Sequence, residues 1–219
     1  MKISKRLRVI SELIPNNSFF LDIGCDHALL DIYTVINKPN TKAIASDINE
    51  GPLKSAKENI KKYNLEKSIK IKQGNGLETY EKKVDTVILS GLGSYTIIDI
   101  LKNNKEVLPN IDNLIISSNN NYYYLRKEIT KLGFYIYNEK IVLDKGKYYP
   151  VIVFKHGNKK YNSFNLKYGP ILIKENSCVF KDYIKLQEQK LNNIYNSLSN
   201  KHIFKKISIK KQLRNIKKI

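Results

Sequence analysis

Two acidic loops, about 20 residues apart, carry the side chains with the clearest chemical potential in this sequence. Asp22 and Asp26 flank Gly24 directly after an apolar run, and Asp47 and Ile48 follow a second apolar run. In doubly wound folds, an acid at the tip of the second strand accepts hydrogen bonds from the ribose hydroxyls of a bound nucleoside. The spacing therefore predicts that the two loops together bind an adenosyl group.

The first loop distinguishes between two cofactors that contain this group. A dinucleotide fingerprint needs three glycines so that a diphosphate can lie on a helix N-terminus, and this loop has only Gly24. Its carboxylates, Asp22 and Asp26, would repel a phosphate but suit the ammonium group of a methionyl tail. The loop therefore favours S-adenosylmethionine (SAM) over NAD, which stays open as the second choice. A plainer alternative is that these acids only cap turns and helix starts.

Three later loops add polar side chains and glycines at predicted strand ends, where ligands of open α/β sheets bind. Asn75, followed by Gly76, offers an amide that can bond the edge of adenine. Gly91 would let the backbone approach a ligand, and Ser90 would stand where substrate meets the methyl group. Asn119 offers donors and an acceptor that could read a base edge. Each residue alone is more typical of an ordinary turn, but together the loops follow successive strands in phase, which argues against that reading.

The elements that must position these loops alternate between strand and helix. Apolar runs predict strands at 18–21, 43–45, 69–72, 84–89, 113–117, 134–137 and 148–154. Helical spacing predicts helices at 7–14, 28–36, 51–63, 95–101 and 123–132. The alternation predicts an α/β, Rossmann-like fold with a seven-stranded sheet, closed by an antiparallel pair of strands around Lys145-Gly146.

Charge is distributed unevenly along the chain. The sequence has 39 basic and 20 acidic residues, a formal net charge of +19. Residues 1–154 carry a net charge of +6, and residues 155–219 carry +13. A concentrated basic surface is typical of proteins that bind a polyanion such as nucleic acid. Part of the lysine excess could instead reflect a composition rich in Lys, Asn, Ile and Tyr.

The basic tail has its own organisation. Phe180, Ile184, Leu191, Ile194 and Leu198 have the three- and four-residue spacing of an amphipathic helix. After a predicted turn at 197–200, a second apolar stripe at Ile209, Leu213 and Ile216 is surrounded by lysines. We expect a helical hairpin or short coiled coil over 159–219, following a SAM-binding domain over 1–158. A basic amphipathic helix lying on an anionic membrane is the alternative.

The apolar stretches, cysteines and histidines of the sequence bear on its location and on disulfide or metal sites. We expect a cytoplasmic protein, because the sequence contains no apolar stretch near 18 residues and no signal-type apolar core. Cys25 and Cys178 are far apart and only three histidines are present, so the sequence indicates neither a disulfide framework nor a metal site.

Seven short motifs, spread over nearly the whole chain, resemble those of the bacterial TrmK family. They are Ser4-Lys5-Arg6-Leu7, Asp22-Ile23-Gly24-x-Asp26-His27-Ala28, Gly51-Pro52, Gly74-Asn75-Gly76-Leu77, Ser90-Gly91-Leu92-Gly93, Asn119 and Gly146-Lys147-x-Tyr149. That family consists of SAM-dependent methyltransferases that modify N1 of adenine 22 in tRNA. The resemblance implies a class I SAM-dependent methyltransferase domain followed by a C-terminal helical coiled-coil domain. The family usually has Asp at the position of Asn75, and Gln-Pro where this chain has Ser117-Ser118.

The resemblance also implies roles for particular residues. We expect Asp26 and His27 near the reactive centre and Asn119 beside the target adenine. We expect Asp22, Gly24, Asp47, Ile48, Asn75, Gly76, Ser90 and Gly91 to bind SAM. The expected partner is tRNA, with no membrane, no metal and no obligate protein partner. A small-molecule methyltransferase and a tRNA-binding protein that has lost catalysis remain alternatives.

Overall fold

The computed structural model describes residues 1–199 and 201–219. Its strands are β1 Phe19–Ile23, β2 Lys42–Asp47, β3 Ile69–Gln73, β4 Thr86–Ser90, β5 Asn113–Ser117, β6 Phe134–Asp144 and β7 Lys147–His156. Its α-helices are α1 Lys5–Leu13, α2 Leu29–Asn37, α3 Glu50–Lys62, α4 Ser94–Asn103, α5 Tyr122–Lys131, α6 Ser163–Tyr168, α7 Pro170–Glu175, α8 Cys178–Ser197 and α9 Ile203–Ile216. Short 3-10 helices occupy Gly76–Thr79 and Leu108–Asn110.

The strands form one seven-stranded sheet in the order β3-β2-β1-β4-β5-β7-β6. The first five strands are parallel, and β7 pairs antiparallel with both β5 and β6. The predicted α/β, Rossmann-like sheet is therefore confirmed. Because the parallel strands all end at the same edge, the loops after β1, β2, β3, β4 and β5 are brought together there.

The centre of the sheet is apolar because parallel strands are covered on both faces. Leu21, Val87 and Ile115, from three neighbouring strands, are completely buried. Burying each such side chain contributes about 1.5–3 kcal/mol. This rigid core holds the strand ends, and with them the loops, in fixed positions.

The main correction to the sequence-based elements concerns the antiparallel pair. β6 runs to Asp144, whereas the apolar run in the sequence predicts a strand only over 134–137. A register shift between Ile136 and Asn138 moves the pattern of buried residues out of phase, so alternation fails beyond that point. β7 likewise extends beyond the predicted 148–154.

The chain divides into two compact units, Met1–Lys160 and Tyr161–Ile219. In the second unit, α8 and α9 pack against each other. The ammonium groups of Lys206 and Lys210 both lie 5.5 Å from the ring centre of Tyr195, a cation–π contact from α9 to α8. The predicted turn at 197–200 includes Asn200, which lies outside the described residues.

The second unit also contains two short helices that the sequence pattern did not predict. α6 begins after Asn162, whose side chain accepts a hydrogen bond from the Asn165 N–H at 2.8 Å. α7 begins with Pro170 in its first turn. An Asn cap and an N-terminal proline are both helix-start signals, so these helices could have been predicted.

Candidate cofactor and substrate site

A cavity of about 500 Å³ lies at the carboxyl ends of β1, β2, β3 and β4. We call it the strand-end cavity. Ten of the eleven predicted site residues line it: Asp22, Gly24, Asp26, His27, Asp47, Ile48, Asn75, Gly76, Ser90 and Gly91. Asn119 is not among its lining residues. The volume falls within the range of about 300–1,000 Å³ that is typical of small-molecule sites.

The loop after β1 forms the floor of the cavity in an unusual backbone conformation. Gly24, Asp26 and Ala28 all have positive φ angles, of 77°, 54° and 54°. The N–H groups of Gly24 and Cys25 donate to the carbonyl oxygen of Ser46 in β2, at 2.8 and 3.0 Å. A left-handed Ala is uncommon, and such residues cluster at functional sites. The loop is therefore held in shape by its neighbours rather than by its own preferences.

Asp26 and His27 lie together at the mouth of this cavity. The Nε2 atom of His27 is 3.4 Å from Oδ1 of Asp26, and their side chains are 49% and 72% exposed. The carbonyl oxygen of His27 accepts a hydrogen bond from the Asn59 side chain at 3.0 Å. The main chain is thus anchored to α3, while both side chains remain accessible to a substrate.

Deeper in the site, Asp22 faces a second buried carboxyl group, that of Asp31 in α2. Asp22 is 4% exposed and Asp31 is fully buried. Neither oxygen of Asp31 accepts a hydrogen bond from any donor in the described residues. Burial raises the pKa of Asp22 to about 7, and burial together with the charge of Asp22 raises that of Asp31 well above its usual value. Two carboxyl groups buried side by side favour a state in which they hold at least one proton between them.

This pair predicts a pH-dependent stability. Each folded-state pKa lies above the unfolded value of 3.8, so the stabilisation is fully present below about pH 4 and is lost as the pH rises through 7. Asp31→Asn cannot ionise, and its amide can donate to Asp22. We expect its Tm to exceed that of the wild type by about 3–6 °C at pH 8, corresponding to roughly 1–2 kcal/mol.

Thermal unfolding at pH 5 and pH 8 measures this effect. The gain should shrink at pH 5, which lies below the folded-state pKa of about 7 of Asp22, so that the wild type keeps that proton. Asp112→Asn, at an exposed position, is the matched control and should leave the pH profile unchanged. Parallel profiles for wild type and Asp31→Asn would contradict the assignment.

The ends of β2 and β3 form one side of the cavity. Oδ1 of Asp47 accepts the N–H of Asn49 at 3.0 Å, whereas Oδ2 accepts no hydrogen bond from the described residues. The N–H of Asn75 donates to Oε2 of Glu78 at 3.0 Å, which fixes the loop after β3. At Gly76, φ is 62° and a Cβ would lie 2.8 Å from Cγ2 of Ile100. A side chain at this position would therefore need Ile100 to move and would also strain the backbone, which glycine avoids.

The ends of β4 and β5 form the opposite side. The buried hydroxyl of Ser90 has no hydrogen-bond partner within the described residues, although Ser90 lines the cavity. The Asn119 side chain donates to the carbonyl oxygen of Gly91, and the Asn119 N–H donates to that of Leu92 at 2.9 Å. Asn119 is thereby fixed beside the cavity at Gly91, on the side away from Asp47.

Arg6 also lines the cavity, although it is not among the site residues predicted from the sequence. It lies in α1, and only tertiary packing brings that helix to the strand ends. Its one signal in the sequence was its place in a motif that precedes the first strand.

Across residues 1–199 and 201–219, no cluster of three or more His, Cys, Asp or Glu side chains could hold a metal ion. Nor is any helix in these ranges long and apolar enough to span a bilayer.

Comparison with known proteins shows which family this chain resembles. The family model described as tRNA (adenine(22)-N(1))-methyltransferase, TrmK, matches residues 20–218. The Bacillus subtilis tRNA (adenine(22)-N(1))-methyltransferase is 34% identical over 206 residues, covering 91% of this chain and 87% of that protein.

Solved structures agree with this match over the full length. The crystal structure of the B. subtilis m1A22 tRNA methyltransferase TrmK aligns with a TM-score of 0.84 and 30% identity, covering 99% of this chain and 98% of that one. The structure of M. capricolum TrmK, in complex with S-adenosyl-homocysteine, aligns with a TM-score of 0.85 and 31% identity, covering 100% and 97%. This chain therefore belongs to the TrmK family of tRNA (adenine(22)-N(1))-methyltransferases.

Proposed function

We propose that this protein transfers the methyl group of SAM to N1 of an adenine in tRNA, at the position corresponding to adenine 22. The observation that carries the proposal is the set of residues that line the strand-end cavity, which includes the carboxylates of Asp22, Asp26 and Asp47. Such a site suits a ribose and an ammonium group. It does not suit NAD, because the carboxylates would face the diphosphate and no glycine-rich phosphate cradle is present.

The residues of the cavity fit SAM in several respects. The free Oδ2 of Asp47 can accept from a ribose hydroxyl, and the Asn75 side chain can bond the adenine edge. The unpartnered hydroxyl of Ser90 is available to a ligand, which would relieve the cost of burying it unsatisfied. The glycine at 76 keeps the wall open where a side chain would collide with Ile100.

The chemistry asked of the protein is mainly orientation. SAM supplies a methyl group on a sulfonium sulfur; as the lone pair of adenine N1 bonds to the methyl carbon, the carbon–sulfur bond breaks and the positive charge passes to the base. Because N1 needs no general base, positioning contributes most of the rate. We propose that Asn119 holds the adenine beside Gly91 and that Asp26 favours the cationic product. His27 would position the base or the methionyl tail.

N1 belongs to the Watson–Crick edge, so the target adenine must be unpaired or flipped out of its helix, which costs a few kcal/mol. We propose that the second unit provides tRNA-binding energy that offsets this cost, acting as a domain with α8 and α9 as a short coiled coil. Residues 161–219 have 13 basic and 3 acidic side chains, a net charge of +10. A tRNA substrate also favours a cytoplasmic location.

The role of the second unit predicts a change in salt dependence. We expect replacement of four exposed lysines by glutamine to weaken tRNA binding at low salt by about 10-fold or more. The slope of log K against log salt concentration should fall by about 2–4, because fewer counterions are released. The four lysines are Lys205, Lys211, Lys217 and Lys218.

A matched control separates position from charge. In the control variant, four exposed lysines of α3 in the first unit are replaced by glutamine, which alters the net charge by the same amount. These lysines are Lys54, Lys57, Lys61 and Lys62. Filter binding of tRNA from 50 to 300 mM salt gives both slopes. Equal losses in the two variants would mean that the tail has no special role.

The activity itself is tested with methyl-labelled SAM and tRNA lacking modifications, followed by nucleoside analysis of the product. One-methyladenosine is the expected product. Binding of SAM without any methylated RNA would favour a small-molecule methyltransferase, and tRNA binding without SAM binding would favour a protein that has lost catalysis.

A further inference from the structure

Arg6 contributes a positive charge to the wall of the strand-end cavity. The centre of its guanidinium lies 4.8 Å from the ring centre of Tyr149, a cation–π contact that holds the side chain in place. One guanidinium nitrogen, Nη2, lies 3.8 Å from the position that a Cβ on Gly91 would occupy. The N–H of Arg6 donates to Oδ2 of Asp144 at 3.4 Å, which helps to fix the start of α1.

The positive charge of the Arg6 guanidinium has no neutralising carboxylate partner within the described residues. No carboxylate lies within ion-pair distance of the Arg6 guanidinium there, although the same cavity is lined by Asp22, Asp26 and Asp47. No lysine and no second arginine lines the cavity. A half-buried guanidinium has five N–H donors and matches a planar carboxylate with two parallel hydrogen bonds. The cavity thus has separate places for cationic and anionic groups of a ligand.

The order of the strands indicates which anion belongs beside Arg6. Asp47 ends β2, on one side of β1, whereas Gly91 follows β4, on the other side. With the ribose at Asp47, the amino-acid end of a bound adenosyl amino acid would extend across β1 toward Gly91, beside the Arg6 guanidinium. That end of SAM is a zwitterion, so its ammonium group can face the carboxylates while its carboxylate needs a cation.

We propose that the Arg6 guanidinium binds the α-carboxylate of the methionyl group of SAM. This assignment rests on the proposed function, because it takes SAM as the ligand of the strand-end cavity. The cost of losing such a charge-assisted contact is typically a factor of about 10–100 in affinity. A phosphate of the bound tRNA is the competing anion at the same place.

Two ligands that differ at the relevant group provide the test. S-adenosylhomocysteine carries the amino-acid group, and 5′-methylthioadenosine is the same adenosyl thioether without it. Calorimetry should show that Arg6→Gln lowers the affinity for S-adenosylhomocysteine about 10–100-fold. The affinity for methylthioadenosine should change less than twofold. Arg6→Lys should recover part of the loss, because it restores the charge without the bidentate geometry. Arg8→Gln, on an exposed part of α1 and outside the cavity, should match the wild type with both ligands.

Each other result has a distinct meaning. Equal losses for both ligands in Arg6→Gln would overturn the proposal in favour of a structural role. Unchanged S-adenosylhomocysteine affinity with a raised KM for tRNA would overturn it in favour of an RNA phosphate. If the wild type bound neither ligand, the proposed function itself would fail. Methylthioadenosine binding by Arg6→Gln also shows that the variant is folded.

Discussion

Asn119→Ala is expected to lower kcat for methyl transfer to tRNA by about 100-fold or more, with the affinity for S-adenosylhomocysteine changed less than twofold. The side chain is held by its hydrogen bond to the Gly91 carbonyl and lies outside the residues that line the cavity. We therefore expect it to orient the acceptor base and not the methyl donor. Misplacing a reacting group by about 1 Å can cost a factor of about 100.

Single-turnover kinetics with saturating SAM, together with calorimetry, separate the two effects. Asn119→Asp provides a stricter comparison, because it keeps the shape but cannot donate to the Gly91 carbonyl. Asn16→Ala, in an exposed turn before β1 and at the opposite end of the sheet, is the matched control. Loss of S-adenosylhomocysteine affinity in Asn119→Ala, with kcat maintained, would assign Asn119 to the cofactor instead.

Asp47→Asn is expected to weaken S-adenosylhomocysteine binding about 10–100-fold. One oxygen of Asp47 accepts the N–H of Asn49 at 3.0 Å and the other accepts nothing within the described residues. A carboxylate can therefore keep the loop in shape and still accept a ribose hydroxyl. An amide presents one oxygen only, so one of these two contacts is lost, and a hydrogen bond to a charged group contributes about 1.5–3 kcal/mol.

The same measurement with methylthioadenosine distinguishes a ribose contact from a tail contact. Because both ligands contain the ribose, Asp47→Asn should weaken both by similar factors, unlike Arg6→Gln. Asp112→Asn, which precedes β5 at the far end of the sheet, should have no effect on either. Wild-type affinity of Asp47→Asn for both ligands would remove Asp47 from the site.

The fold was predictable from the sequence where local pattern and tertiary structure agree. Apolar runs such as residues 113–117 are buried on both faces and have sharp boundaries, and β5 occupies this range. The sequence pattern did not predict the full length of β6, because the irregularity at Ile136 and Asn138 depends on the pairing with β7. No feature of the local sequence marks that shift.

The candidate site divides in the same way. Residues such as Asp22 and Asp47 could be selected because parallel strands must end at one edge, which makes the residues at their carboxyl ends neighbours. This reasoning does not reach Arg6, which comes to the cavity from a helix that precedes the sheet, or Asp31, which is buried in α2 and is linked to the site through Asp22. The positive φ of Ala28 is also a tertiary property, since alanine itself disfavours that conformation.

The most direct test of the account uses two tRNA transcripts that differ only at position 22, one with adenine and one with guanine. Purified protein, methyl-labelled SAM and each transcript are combined, and the product is mapped by nucleoside analysis and by primer extension. We predict one-methyladenosine and an extension stop at position 22 in the first transcript, and no label in the second. Equal labelling of both transcripts, or methyl transfer at another atom of adenine, would contradict the central claim.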